Sequence, residues 1–151
     1  YKADIGAVRF ASIFHDAGRR SDPRGHEKRS ANLAAEFLRS EGFPEEFVQK
    51  VRRIILQHHA DAHELEGLEE KIVWDADKLD ALGLIGLARC LIEEGYKGKT
   101  IEDAIEHHLK DLRDFGDKMH FNETKSEAKR RVLQSFNVVK KLKEEIKGRW
   151  F

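Results

Sequence analysis

The chain has 151 residues, 40% of them hydrophobic, with two prolines and one cysteine. That length lets one domain bury a core without metal or disulfide staples, and the lone Cys90 excludes an intramolecular disulfide and favours a reducing, cytoplasmic setting. Lys plus Arg (28) equals Asp plus Glu (28), which leaves no net basic field to gather a nucleic-acid duplex or an anionic membrane, and no run of about 18 apolar residues is present to span a bilayer.

The pattern predicts an all-α fold in a single domain, residues 1–151, with helices over 3–16, 26–40, 45–60, 69–94, 100–119 and 124–147. In the first helix Ile5, Val8, Ser12, His15 and Asp16 share one side. Phe10, Ile13 and Phe14 make the rest apolar, so a buried helix ending in a His-Asp pair is expected. An unpaired buried carboxylate is costly, and Asp16 therefore calls for a cation, a metal or a strong hydrogen-bond donor. Gly18 and Pro23 close this helix.

The second helix sets His26 beside Ser30, Leu33 and Phe37, and Gly42-Phe43-Pro44 separates it from the third. There His58 lies in line with Phe47, Val51, Ile54 and Ile55, with His59 at the edge of the stripe. A polar connection, 61–68, leads to the fourth helix. In that helix Asp77 falls in line with Val73, Ala81, Leu84, Ala88 and Leu91, whereas Asp75 projects to nearly the opposite side, which makes Asp77 the inward carboxylate. Gly95 and Gly98 end it, and Thr100 with Asp103 reads as a capping box opening the fifth. The last helix carries Val132, Leu133, Phe136, Val139, Leu142 and Ile146 on one side, as a scaffold helix covering the core, and its Lys140 to Lys147 cluster reads as a solvated face. His63, His107, His108 and His120 read as surface or packing residues.

Singly, each inward polar residue has a structural explanation as a hydrogen-bonded core histidine or a paired carboxylate. Together His15, His26, His58 and His59 with Asp16 and Asp77 put four imidazoles and two carboxylates on four helices facing one interior. Such a nitrogen and oxygen donor set suits a divalent cation, its identity left open among Mn, Mg, Fe, Ni, Co and Zn.

The order His15-Asp16, His26, His58-His59, then Asp75-Ala76-Asp77-Lys78-Leu79-Asp80 resembles the HD superfamily of metal-dependent phosphohydrolases. Its signature is a histidine, a His-Asp doublet closing a helix, and a distant aspartate, often inside a D-x-D-K-x-D segment. Here Ala17-Gly18 follows the doublet, Arg29-Ser30 follows His26, and the aspartate segment leads into Gly83-Leu84-Ile85-Gly86-Leu87-Ala88-Arg89. The resemblance continues around Leu109 to Met119 and Ala128 to Phe136, and is nearest to small bacterial HD hydrolases that include nucleotide pyrophosphohydrolases.

This resemblance implies an HD-type helical bundle with a central metal site, and His15, Asp16 and Asp77 match three metal ligands by position. The family's fourth ligand, a histidine upstream of the doublet, would precede this sequence, so the expectation is a truncated N-terminal helix. The implied activity is hydrolysis of a nucleotide or another small phosphate ester or anhydride by metal-activated water. Lys78 resembles the family's phosphate-contacting lysine, a solvated helix lysine being the other reading. His26, His58 and His59 keep three roles open: ligands of a second metal, donors to the phosphate, or a general acid. Arg19, Arg20, Arg24 and Arg29 either meet an anionic substrate or are surface charge. Two further classes stand beside the hydrolase: a di-iron oxygenase, and a non-catalytic module that binds a nucleotide or a partner.

Overall fold

The structure, a computed structural model, describes residues 2–19 and 24–148; Arg20 and Pro23, singled out above, lie outside the described residues. Among the described residues there are seven α-helices and no strand: α1 (Ile5–Phe14), α2 (His26–Ser40), α3 (Glu45–Gln57), α4 (Leu68–Ala81), α5 (Gly83–Tyr96), α6 (Ile101–Phe115) and α7 (Asn122–Ile146). A 3₁₀ turn, Ala62–Glu64, interrupts the polar connection before α4. The fold is all-α, as the periodicity predicts, and no helix among the described residues is long and apolar enough to cross a membrane. Two compact units divide the chain, Tyr1–Asp77 and Lys78–Phe151.

In the first unit α1 is anchored at its start by Asp4. Its carboxylate accepts from the Ala7 N–H at 3.0 Å, satisfying a donor that the helix ladder leaves over, and takes the Lys50 ammonium at 3.0 Å. The buried stripe of α1 is Ala7 and Ala11, whose small side chains let α1 lie close against α2 and α3. This corrects the predicted face: Ile5, Ser12 and Ile13 are exposed, Ile13 at 72%. Val8, Phe10 and Phe14 flank that stripe and pack partly buried against the core, while Ile5 and Ile13 lie on the uncovered side.

The core of this unit joins that stripe to Ala31, Ala34, Ala35 and Leu38 of α2, Val48, Val51, Ile54 and Ile55 of α3, and Val73 of α4. Leu33 and Phe37, predicted to accompany His26 inward, are partly exposed; Phe37 instead lays its ring 5.4 Å from that of Phe14. Long-range bonds tie α4 into place, among them that from the Asp4 N–H to Glu69 Oε1 at 2.8 Å. Arg53 Nε donates to Glu70 Oε1 at 2.7 Å, and the Trp74 indole donates to the Ala60 carbonyl at 3.2 Å.

The single helix predicted over 69–94 is two helices. Gly83 has φ of +80°, a left-handed conformation that side chains other than hydrogen resist, and Leu82 before it is extended. Arg131 of α7 donates to the Leu79 carbonyl at 2.7 Å, which also accepts from the Leu82 N–H at 3.1 Å. In-register placement of Leu84, Ala88 and Leu91 with Asp77 therefore fails, and Leu84 is 45% exposed.

The core of the second unit is Leu87, Ile105 and Val139, with Leu91, Leu109, Val138 and Leu142 packed around it. The capping box of Thr100 and Asp103 forms as predicted. In α7 the inward residues are Ala128, Ser135 and Val139, while Leu133, Phe136 and Ile146 of the predicted face are exposed. Ser135 takes a place on the covered face because its hydroxyl finds a buried hydrogen-bond partner in His108 Nε2, 3.0 Å away.

Candidate metal centre

Helix α1 stops at Phe14, so that His15 caps it and Asp16 lies in the turn that follows. His15 Nδ1 donates to the Ser12 carbonyl at 2.8 Å, which turns Nε2 outward, 3.6 Å from Asp77 Oδ1 and 3.9 Å from Asp16 Oδ2. Hydrogen bonding to Asp77 is the main reason the His15 pKa is held above the usual imidazole value, with burial acting against it.

His26 is the first residue of α2 and is buried, with Nε2 2.9 Å from Asp16 Oδ1. His58 caps α3. Its Nδ1 donates to the Ile55 carbonyl at 2.6 Å, and its Nε2 points to Asp16 Oδ1 at 3.8 Å. His59, exposed at the edge of the stripe as the projection predicts, brings Nε2 to 3.2 Å from His26 Nε2. A carbonyl accepts only, so the bonds from His15 and His58 place a proton on Nδ1 and aim Nε2 at the centre, where it can ligate a cation once the ring is neutral.

Asp16 is the meeting point. Oδ1 faces His26 and His58, and Oδ2 faces His15 and the Arg19 guanidinium at 3.2 Å. Burial alone would raise its pKa, but the positive charge of His15, Arg19 and His26 outweighs that and keeps the carboxyl below its ordinary range. Asp16, His26, His58 and His59 each offer a donor atom, and all four atoms lie within 4.8 Å of one another. Metal to nitrogen or oxygen bonds of about 2.0–2.2 Å put ligands on opposite sides of one ion about 4 Å apart. The residues therefore fit a divalent cation with little movement, and the imidazole and carboxylate donor set matches borderline to hard ions.

All six candidate ligands sit in the first unit around Asp16, with His15 and Asp77 on one side of the carboxylate and His26, His58 and His59 on the other. The tightest group is Asp16 with the three later histidines, rather than His15, Asp16 and Asp77. Asp75 corrects the projection: it is buried at 1%, deeper than Asp77, although Asp77 does reach His15. Val73, Trp74 and Asp75 are buried in succession, so α4 is covered on more than the single stripe assumed from sequence.

Lys78 is 7% exposed, its ammonium 5.4 Å from the centre of the Phe115 ring, which sets aside the reading of it as a solvated lysine. Arg29 donates through Nε to the Gly18 carbonyl at 3.2 Å, and Arg24 is exposed. His63 is exposed, while His107 bonds Glu94 Oε1 at 3.1 Å and His108 is a packing residue, as expected. Sequence reasoning placed Ser30 inward but gave it no task. Its hydroxyl accepts from the buried Gly18 N–H at 2.9 Å, just after the doublet. The signal available for this was the glycine two residues beyond Asp16.

The chain is 32% identical over 91 residues to the Bacillus subtilis protein YpgQ, a stretch covering 58% of this chain and 44% of YpgQ, so the match spans less than half of that relative. Among solved structures, B. subtilis YpgQ in complex with ADP superposes with a TM-score of 0.78 at 28% identity, over 95% of this chain and 78% of that one. An HD-superfamily hydrolase from Bacillus thuringiensis gives a TM-score of 0.72 at 26% identity, over 97% of this chain and 76% of that one. The HD domain model matches residues 1–82, more than half of the chain and the whole segment that carries the six candidate ligands. With its helices, its His-Asp doublet and its later histidines and aspartate in that arrangement, the chain belongs to the HD-domain family.

Proposed function

We propose that this chain is a metal-dependent phosphohydrolase acting on a nucleotide or another small phosphate ester or anhydride. The observation that carries the reading is the Asp16 carboxylate, with one oxygen turned to His26 and His58 and the other to His15. His15, Asp16 and Asp77 would hold one cation, and His26, His58 and His59 with Asp16 a second. When bound, such a cation polarises a phosphoryl oxygen, offsets the charge that develops there and lowers the pKa of water.

The chain's own residues supply orientation and proton handling. Bonds from His15 and His58 to the Ser12 and Ile55 carbonyls hold their rings against rotation. His59, the most exposed imidazole of the group, is the one a leaving oxygen can reach, so with a single cation bound it would serve as general acid instead of as a ligand of the second. Lys78 is assigned to the phosphate as a point charge, on the strength of its place next to Asp77 in the family segment. A nucleotide as substrate is supported by the ADP complex of YpgQ. One HD domain over residues 1–151 is supported by alignments that run over 95% or more of the chain.

The test is a screen of the full chain with Mn²⁺, Mg²⁺, Co²⁺ and Ni²⁺ against nucleoside mono-, di- and triphosphates and model esters. Release of phosphate or pyrophosphate that stops on chelation is expected. Tight nucleotide binding with no release under any of these ions, or stoichiometric iron with oxygen consumption, would overturn it.

A further inference from the structure

We infer that Gly18 and Ser30 form a latch that sets the distance between Asp16 and His26, making Ser30 a positioning residue for cation binding. The inference rests on the metal-binding reading above and concerns what holds that centre in shape. Asp16 lies past the end of α1, where the helical ladder no longer dictates its position. Two short turn bonds continue beyond it, Ala17 N–H to the Phe14 carbonyl at 3.0 Å and Arg19 N–H to the Asp16 carbonyl at 2.9 Å, but both are local to the turn.

What ties the turn to α2 is Gly18. Its N–H donates to Ser30 Oγ at 2.9 Å, and its carbonyl accepts from Arg29 Nε at 3.2 Å, so consecutive residues of α2 hold both polar groups of one residue. The approach is close enough to require glycine. A Cβ at position 18 would fall 2.7 Å from Arg29 Cβ, 2.8 Å from the Ser30 nitrogen and 3.0 Å from the His26 carbonyl oxygen.

Ser30 lies one turn beyond His26 on the same buried stripe and is itself 0% exposed. Any slippage at Gly18 is thus transmitted over two residues to Asp16, whose Oδ1 stands 2.9 Å from His26 Nε2. A side chain held only for packing at this place would be served by alanine, which already occupies the neighbouring positions 31, 34 and 35. Serine adds an acceptor for the buried Gly18 amide, which alanine does not offer.

The experiment is a Mn²⁺ titration of the full chain by calorimetry, with Ser30→Ala beside Ser135→Ala. Both remove a fully buried, hydrogen-bonded helix serine, so loss of metal-free thermal stability is expected in each. Only Ser30→Ala is expected to lower Mn²⁺ affinity, by about 10-fold, the low end of the loss on removing a group bonded directly to a ligand, because Ser30 acts on Asp16 through Gly18. Should Ser30→Ala fail to fold, Arg29→Gln releases the other half of the latch from a less buried position, with a smaller loss of affinity expected. Parent-like Mn²⁺ affinity in a folded Ser30→Ala, or in Arg29→Gln if that replaces it, overturns the latch. A parent protein that takes up no Mn²⁺ overturns the metal reading itself and the latch with it, a result distinct from a parent and variant that bind equally.

Discussion

Two histidines of this protein are buried to the same degree and have opposite surroundings. His58, in the first unit, is 1% exposed and shares Asp16 with His15 and His26. His108, in the second, is 0% exposed, bonds Ser135 Oγ at 3.0 Å and has no ion-pair partner among the described residues. Both rings are withdrawn from water, and only His58 faces a carboxylate, with Nε2 3.8 Å from Asp16 Oδ1. Burial of an imidazole therefore does not by itself single out a candidate ligand; His58 is singled out by the rings that converge with it on Asp16.

The sharpest way to break this contrast is at Asp16. Asp16→Asn and His58→Ala are expected to lower divalent-metal affinity by more than about 100-fold, exceeding the effect usual for groups that merely orient ligands. Elemental analysis of the purified variants, with His108→Gln as the matched control, would read this directly. Parent-like metal content in Asp16→Asn would remove the distinction between the two regions.

Next in size, Ser135→Ala leaves the buried His108 Nε2 without its partner and is expected to cost about 1–3 kcal/mol in urea unfolding with metal content unchanged. Gly83→Ala is expected to cost about 1–2 kcal/mol from the left-handed backbone alone. The new Cβ would also meet Arg131 Cγ at 3.1 Å, and again no effect on metal uptake is expected.

The smallest effect concerns pH. Burial holds the His108 pKa below its ordinary 6.5, so the unfolded chain takes up the proton first. Its contribution to stability is complete above pH 6.5 and is lost as pH falls through the depressed folded value. Urea midpoints between pH 7 and pH 5 should drop less in His108→Gln, which does not titrate, than in the parent; equal drops would assign the acid sensitivity to other groups.

The sequence by itself determined the helical class, α2 to the residue, the capping box at Thr100, and the inward turn of His26 and His58, since each follows from local periodicity and hydrogen-bonding chemistry within one element. It also named the six candidate ligands, which the structure gathers near Asp16 even though the apolar faces drawn for α1 and α4 did not hold. Tertiary structure alone decided the rest. The stripe of α1 narrowed to Ala7 and Ala11, Asp75 went deeper than Asp77, α4 and α5 parted at Gly83, and α7 buried Ser135 in preference to Leu133 and Phe136. Helical projection assumes one buried face and an unbroken axis. How many sides of a helix are covered, and which of two donor groups draws tightest around Asp16, are set by neighbours distant in the chain.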